Sequence, residues 1–128
     1  MKEYWAKKWS KYLQTPGLKQ TKGRLSRGNK ESSPKCCLGH AEYMVGNRFN
    51  ADKDGYVDIV KKGKVIEHRC LVLSYNTKEL FGMKTKEGDF DTPVVWRGNE
   101  FYDLSNLNDA GMPLKQIARV IFDRMDEL

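Results

Sequence analysis

The chain has 128 residues, 39% hydrophobic and 31% charged, with 23 Lys and Arg against 17 Asp and Glu and a formal charge of +6. That size and balance suit one globular domain with a modest core and exclude an intrinsically disordered chain. No apolar run approaches the roughly 18 residues of a membrane-spanning helix, and Met1-Lys2-Glu3-Tyr4-Trp5 lacks the apolar stretch of a secretory leader, so a cytoplasmic protein with no membrane partner is expected.

Residues 3–14 read as a first helix, because Trp5, Trp9 and Leu13 recur every four positions while Lys7, Lys8 and Lys11 fall off that stripe. Thr15-Pro16-Gly17 ends it. Residues 18–35, bounded by Ser32-Ser33-Pro34, read as a long basic loop. A second helix is expected from Cys37 to Gly46, with Gly39 leaving room for a neighbouring helix. Tyr56–Val60 and Lys64–Cys70 flank Lys61-Lys62-Gly63 as a hairpin. Asn76 caps a short helical turn ending at Gly82, and residues 85–92 read as loop. Val94-Val95-Trp96 and Glu100-Phe101-Tyr102 bracket Arg97-Gly98-Asn99 as a second hairpin. A short helix runs from Asp103 to Leu107, Gly111 stops it, and Pro113 opens a last amphipathic helix over 113–126. The expected architecture is one compact α+β domain over 1–128, with the terminal helices packed on the central helix and small antiparallel hairpins.

Charge is unevenly placed. Residues 1–35 hold ten Lys and Arg with two Glu, whereas 36–128 hold thirteen Lys and Arg with fifteen Asp and Glu. The positive excess therefore lies in the first quarter of the chain, which attracts polyanions or an acidic protein face. Lys19, Lys22, Arg24, Arg27 and Lys30 recur every two to three residues, and Gln20 is suited to hydrogen-bonding a phosphate oxygen. These residues, with Asn108 and Asp109, are the candidate binding site. Asn108 and Asp109 sit in the last turn of a helix, where a carboxylate is disfavoured by the helix dipole. Three partners would offset that cost: N–H groups at the start of the helix near Pro113, an arginine of the basic loop such as Arg24, or a ligand.

Three other constellations carry less. Asn50 to Asp58 places oxygens at positions one, three, five and nine of a calcium loop with Gly55 at six, but Lys61 stands where the bidentate Glu belongs. An Asp-Gly turn is the expected reading, and no metal is expected. Cys36, Cys37, His40, His68 and Cys70 form a possible zinc set without the spacing of a zinc finger or ribbon. An odd cysteine count with two adjacent residues is a poor disulfide framework, so free, packed thiols are expected in place of a cysteine nucleophile. The 110–121 segment resembles half of a helix-turn-helix, but the seven residues after Ile121 leave no room for a recognition helix.

Several of these residues belong to one pattern: Gln20-x-x-Gly23-x-Leu25, then Cys36-Cys37-Leu38-Gly39, then Leu107-Asn108-Asp109-x-Gly111, then Ile117-Ala118. Over roughly residues 9 to 122 the pattern resembles that of small phage and prophage proteins. The resemblance implies a phage origin, the host cytoplasm as location and a shared fold unit, but no activity. Proteins of that kind commonly interfere with host machinery. The expected function is thus a non-enzymatic, host-directed or counter-defence binding protein without a cofactor, acting on an acidic protein face or nucleic acid. The alternatives are a sponge for a nucleotide signal and a thiol- or zinc-dependent enzyme.

Overall fold

In a computed structural model that describes residues 1–51 and 54–128, the apolar stripe of the first segment forms helix α1 (Glu3–Leu13) and buries Ala6, Trp9 and Leu13 completely or nearly so. Trp5 stacks on Phe81 at 5.0 Å between ring centroids, and Trp9 packs against the same ring while its indole Nε1 donates to the Cys37 carbonyl at 3.1 Å. A buried indole needs such an acceptor, so this one bond fixes how α1 lies on the next helix.

The chain continues through α2 (Cys37–Met44), β1 (Arg48–Ala51), β2 (Val57–Lys61), β3 (Lys64–Cys70), α3 (Tyr75–Phe81), β4 (Asp89–Trp96), β5 (Asn99–Asp103), α4 (Leu104–Asp109) and α5 (Leu114–Asp123). It is a single α+β domain. Strands β1, β2 and β3 form one antiparallel sheet in that order, and β4 pairs with β5 in a separate two-stranded sheet. Both expected hairpins are present. Their two-residue turns have left-handed backbone at both positions, φ 51° and 77° at Lys62-Gly63 and 50° and 77° at Arg97-Gly98. That is the type I′ geometry whose twist matches the flanking strands, reached here with a cation in place of the more usual Asn or Asp.

Helices α1 and α5 lie antiparallel. The amino group of Met1 reaches the Met125 carbonyl at 3.3 Å, and midway the buried Ser10 hydroxyl donates to the Ala118 carbonyl at 2.9 Å. Leu114, Ile117, Ala118 and Ile121 of α5 are buried, leaving Lys115, Arg119 and Phe122 outside. No helix among the described residues is long and apolar enough to cross a membrane.

Several expectations are corrected. The helix after Leu73 is capped by Ser74, not Asn76, because the Ser74 hydroxyl accepts from the Thr77 N–H. Residues 89–92, read as loop, open β4, while β1 was not foreseen. Gly39 makes room for backbone instead of a helix: a Cβ there would lie 1.9 Å from the Leu25 carbonyl oxygen. The candidate calcium loop includes Asp52 and Lys53, which lie outside the described residues.

Candidate anion-binding groove

The 18–35 segment is loop, but it is a packed one. Leu25, Ser26 and Lys35 are fully buried and Thr21 nearly so, and Lys35 bridges to both Gln20 and Ser26. The Lys35 ammonium donates to the carbonyls of Lys30, Glu31 and Ser33, and it sits 4.4 Å from the centroid of the Tyr43 ring. The Arg48 guanidinium lies 3.8 Å from that centroid. Burial lowers the Lys35 pKa. One cation of the basic segment thus holds its own loop closed and is withdrawn from any partner.

Asn108 is the centre of a second internal network and is fully buried. Its Oδ1 accepts from the Cys37 N–H at 3.0 Å and from Gln20 Nε2 at 2.9 Å, and its Nδ2 donates to the Thr21 carbonyl at 2.8 Å. Gln20 Nε2 also donates to the Met112 carbonyl at 2.8 Å. The helix start that Asn108 serves is therefore that of α2, not that of α5. Asp109 accepts from the Gly23 N–H at 2.9 Å, so a backbone amide of the basic loop takes the place foreseen for Arg24. Gln20 and Asn108 face each other, and both N–H donors of the Gln20 amide are used inside the fold.

The remaining candidates divide. Lys19, Lys22, Arg27 and Lys30 are exposed, whereas Arg24 is half-buried with its guanidinium against Gly55. Arg27 Nε donates to the Thr21 hydroxyl. The Lys22 ammonium lies beside Gly111, where a Cβ would stand 3.2 Å from it, at the turn leading into α5.

That turn is one border of a groove of about 1070 Å³ between α1 and α5. Lys7 and Lys11 line it from α1 and Lys115 and Arg119 from α5, while Val95 and Phe122 contribute exposed apolar surface. Lys7 forms an exposed ion pair with Glu3 at 3.2 Å. Among the described residues, Asp123 is the one carboxylate in the lining. Charge counting by sequence segment missed this site, because Lys115 and Arg119 belong to a stretch whose acids outnumber its bases. The available signal was their spacing: at i and i+4 they share one helix face with Phe122, opposite the buried Leu114, Ile117 and Ile121.

The thiols and histidines have a different character. Cys36 caps α2, its sulfur accepting from the Gly39 N–H at 3.4 Å, and Cys37 is fully buried with its thiol 3.8 Å from the Leu104 carbonyl. Burial pushes the Cys36 thiol up to about 12, the Cys37 thiol well above its ordinary value and the Cys70 thiol to about 11. A nucleophile needs the opposite shift. All three cysteines are free. His40 is 1% exposed and its Nε2 donates to the Lys19 carbonyl at 2.9 Å, leaving Nδ1 without a hydrogen-bond partner among the described residues. Burial lowers its pKa to about 4, so it is neutral at physiological pH. His68 is exposed beside Asp58 at 3.5 Å. Among the described residues no three His, Cys, Asp or Glu side chains are grouped to hold a metal ion.

No protein-family model, curated protein or solved structure matches the chain.

Proposed function

We propose that this chain is a non-enzymatic binding protein that captures an anionic partner, an acidic protein face or a nucleic acid, in the groove between α1 and α5. The observation that carries the reading is the convergence of Lys7, Lys11, Lys115 and Arg119, from opposite ends of the sequence, on one open groove with a single carboxylate among the described residues of its lining. A concave site walled by one sign of charge focuses its field and steers an oppositely charged partner into place. The packed 18–35 loop supports the site from behind, since Gln20 fixes the Met112 carbonyl and Met112 lines the groove. The resemblance to small phage proteins gives the reading its biological context, interference with a host component in the host cytoplasm. The protonated, buried thiols favour binding over thiol catalysis.

The test is fluorescence anisotropy with labelled polyglutamate and labelled single- and double-stranded oligonucleotides. The wild type is compared with a variant carrying Lys11→Glu, Lys115→Glu and Arg119→Glu. These three side chains are exposed, so the fold should survive their reversal. Salt-sensitive binding of at least one probe, lost in the variant, supports the proposal. Binding of no probe, or equal binding by both proteins, overturns it.

A further inference from the structure

The chemistry of the groove narrows the class of partner. Besides its cations, the lining offers Val94, Val95, Met112, Val120 and Phe122, an aliphatic floor with one aromatic ring. Bases of a single strand bind by stacking on successive aromatic faces, and among the described residues this lining provides one ring, Phe122. Addition of a partner strand to the β4 edge is obstructed as well. Pro93 has no N–H to give, and its carbonyl accepts from Arg124 Nη2 at 3.2 Å. The Thr92 N–H is taken by Glu127 at 3.0 Å and its carbonyl by Arg124 Nη1 at 2.9 Å. The edge is thus obstructed at Thr92 and Pro93, beside the groove.

What remains is the seam itself. Two antiparallel helices present Lys7, Ser10, Lys11 and Gln14 on one side and Lys115, Arg119 and Phe122 on the other, at the i, i+3, i+4, i+7 spacings along which a third helix packs. Resting on the reading of the groove as the anion-binding site, we infer that its occupant is an acidic amphipathic helix of a partner protein. Its apolar stripe covers Val95, Val120 and Phe122, and its flanking carboxylates meet Lys7, Lys11, Lys115 and Arg119. Val95 is 68% exposed and Phe122 46%, so both are available to be covered. Charge complementarity selects an acidic helix over a neutral or basic one, and the apolar floor distinguishes it from an unstructured acidic tail.

The experiment uses the full chain and three labelled probes. The first is a peptide of about five helical turns, roughly 18 residues, with Leu at i, i+3, i+4 and i+7 positions and Glu between them. The second has the same residues in scrambled order, and the third is an oligothymidylate strand of matching charge. The expected result is that the amphipathic peptide binds at least roughly tenfold more tightly than the scrambled one and the oligonucleotide. Val95→Ser with Phe122→Ser, which leaves the charge of the groove unchanged, should remove that preference, so that the two peptides bind the variant alike. Equal affinity for the two peptides, tighter binding of the oligonucleotide, or a preference that survives the double substitution overturns the acidic-helix inference while leaving the groove as an anion site. Failure of all three probes to bind overturns both.

Discussion

The side-chain oxygen of Asn108 accepts the N–H of Cys37 across 71 positions of sequence, and both residues are fully buried. This bond ties the last turn of α4 to the first residue of α2. The same oxygen holds Gln20, and the neighbouring Asp109 holds Gly23. The separated pieces of the sequence pattern, Gln20-x-x-Gly23-x-Leu25, the Cys36–Gly39 run and Asn108-Asp109, are thus one contact region. Leu25 completes it by accepting the Cys36 N–H at 3.1 Å. Asn108→Ala would leave the Cys37 N–H and the Thr21 carbonyl without partners, and we expect a loss of roughly 2–3 kcal/mol, read from the urea midpoint. A loss below about 0.5 kcal/mol would mean that water replaces the amide freely.

Gly39→Ala separates packing from propensity. In an unconstrained helix this change stabilises by about 1 kcal/mol. Here the new methyl would meet the Leu25 carbonyl at 1.9 Å, and backbone cannot swing aside as a flexible side chain would. We expect destabilisation by about 3 kcal/mol or loss of folding. Stabilisation in thermal melts would show that the loop at Leu25 does not lie against α2.

The architecture was legible where a single segment holds its own information. The Trp5/Trp9/Leu13 stripe gave α1, Lys62-Gly63 and Arg97-Gly98 gave two hairpins, and the buried face of 114–121 gave α5. Illegible features depended on distant segments. Nothing local announces that Asn108 serves α2, because its own helix end and the nearby start of α5 offered a closer partner. Lys35 reads as one more exposed cation until the carbonyls of residues 30–33 fold around it. The groove escaped for the same reason: its four cations come from two helices about a hundred residues apart, and segment-wise charge averaging hides half of them.

The buried thiols predict a stability loss in alkali. The folded Cys36 pKa is raised from 9.0 to about 12, so above pH 9 the unfolded chain releases a proton that the folded chain keeps. The contribution is intact below pH 9 and falls as pH rises toward 12, by up to about 1.4 kcal/mol per pH unit for each such thiol. Native protein at pH 8 should accordingly leave Cys36 and Cys37 unmodified by a thiol-specific disulfide reagent, with both reacting in denaturant. Rapid native labelling of either would contradict their burial.

His40 predicts a loss at the acid end. Its folded pKa of about 4 lies below the ordinary 6.5, so the unfolded chain binds a proton that the folded chain refuses. The stability this supplies is complete above pH 6.5 and is lost as pH falls toward 4, on the order of 3 kcal/mol in all. Titration of the His40 ring by NMR should show no protonation at pH 5.5. A His40 midpoint near 6.5 would contradict the buried, Nδ1-unprotonated state.

An anionic partner held in the α1–α5 groove responds to different substitutions than one held along the 18–35 loop. Two variants separate these: Lys11, Lys115 and Arg119 changed to Ser, and Lys19, Arg27 and Lys30 changed to Ser. Both remove three exposed cations, so net charge falls equally. The decisive measurement is the slope of log affinity against log salt for one labelled polyanion with the wild type and each variant. The groove variant should lose at least roughly tenfold in affinity and flatten its salt slope, while the loop variant stays close to the wild type. A loop variant that loses binding beside a groove variant that keeps it would place the partner on the 18–35 loop instead.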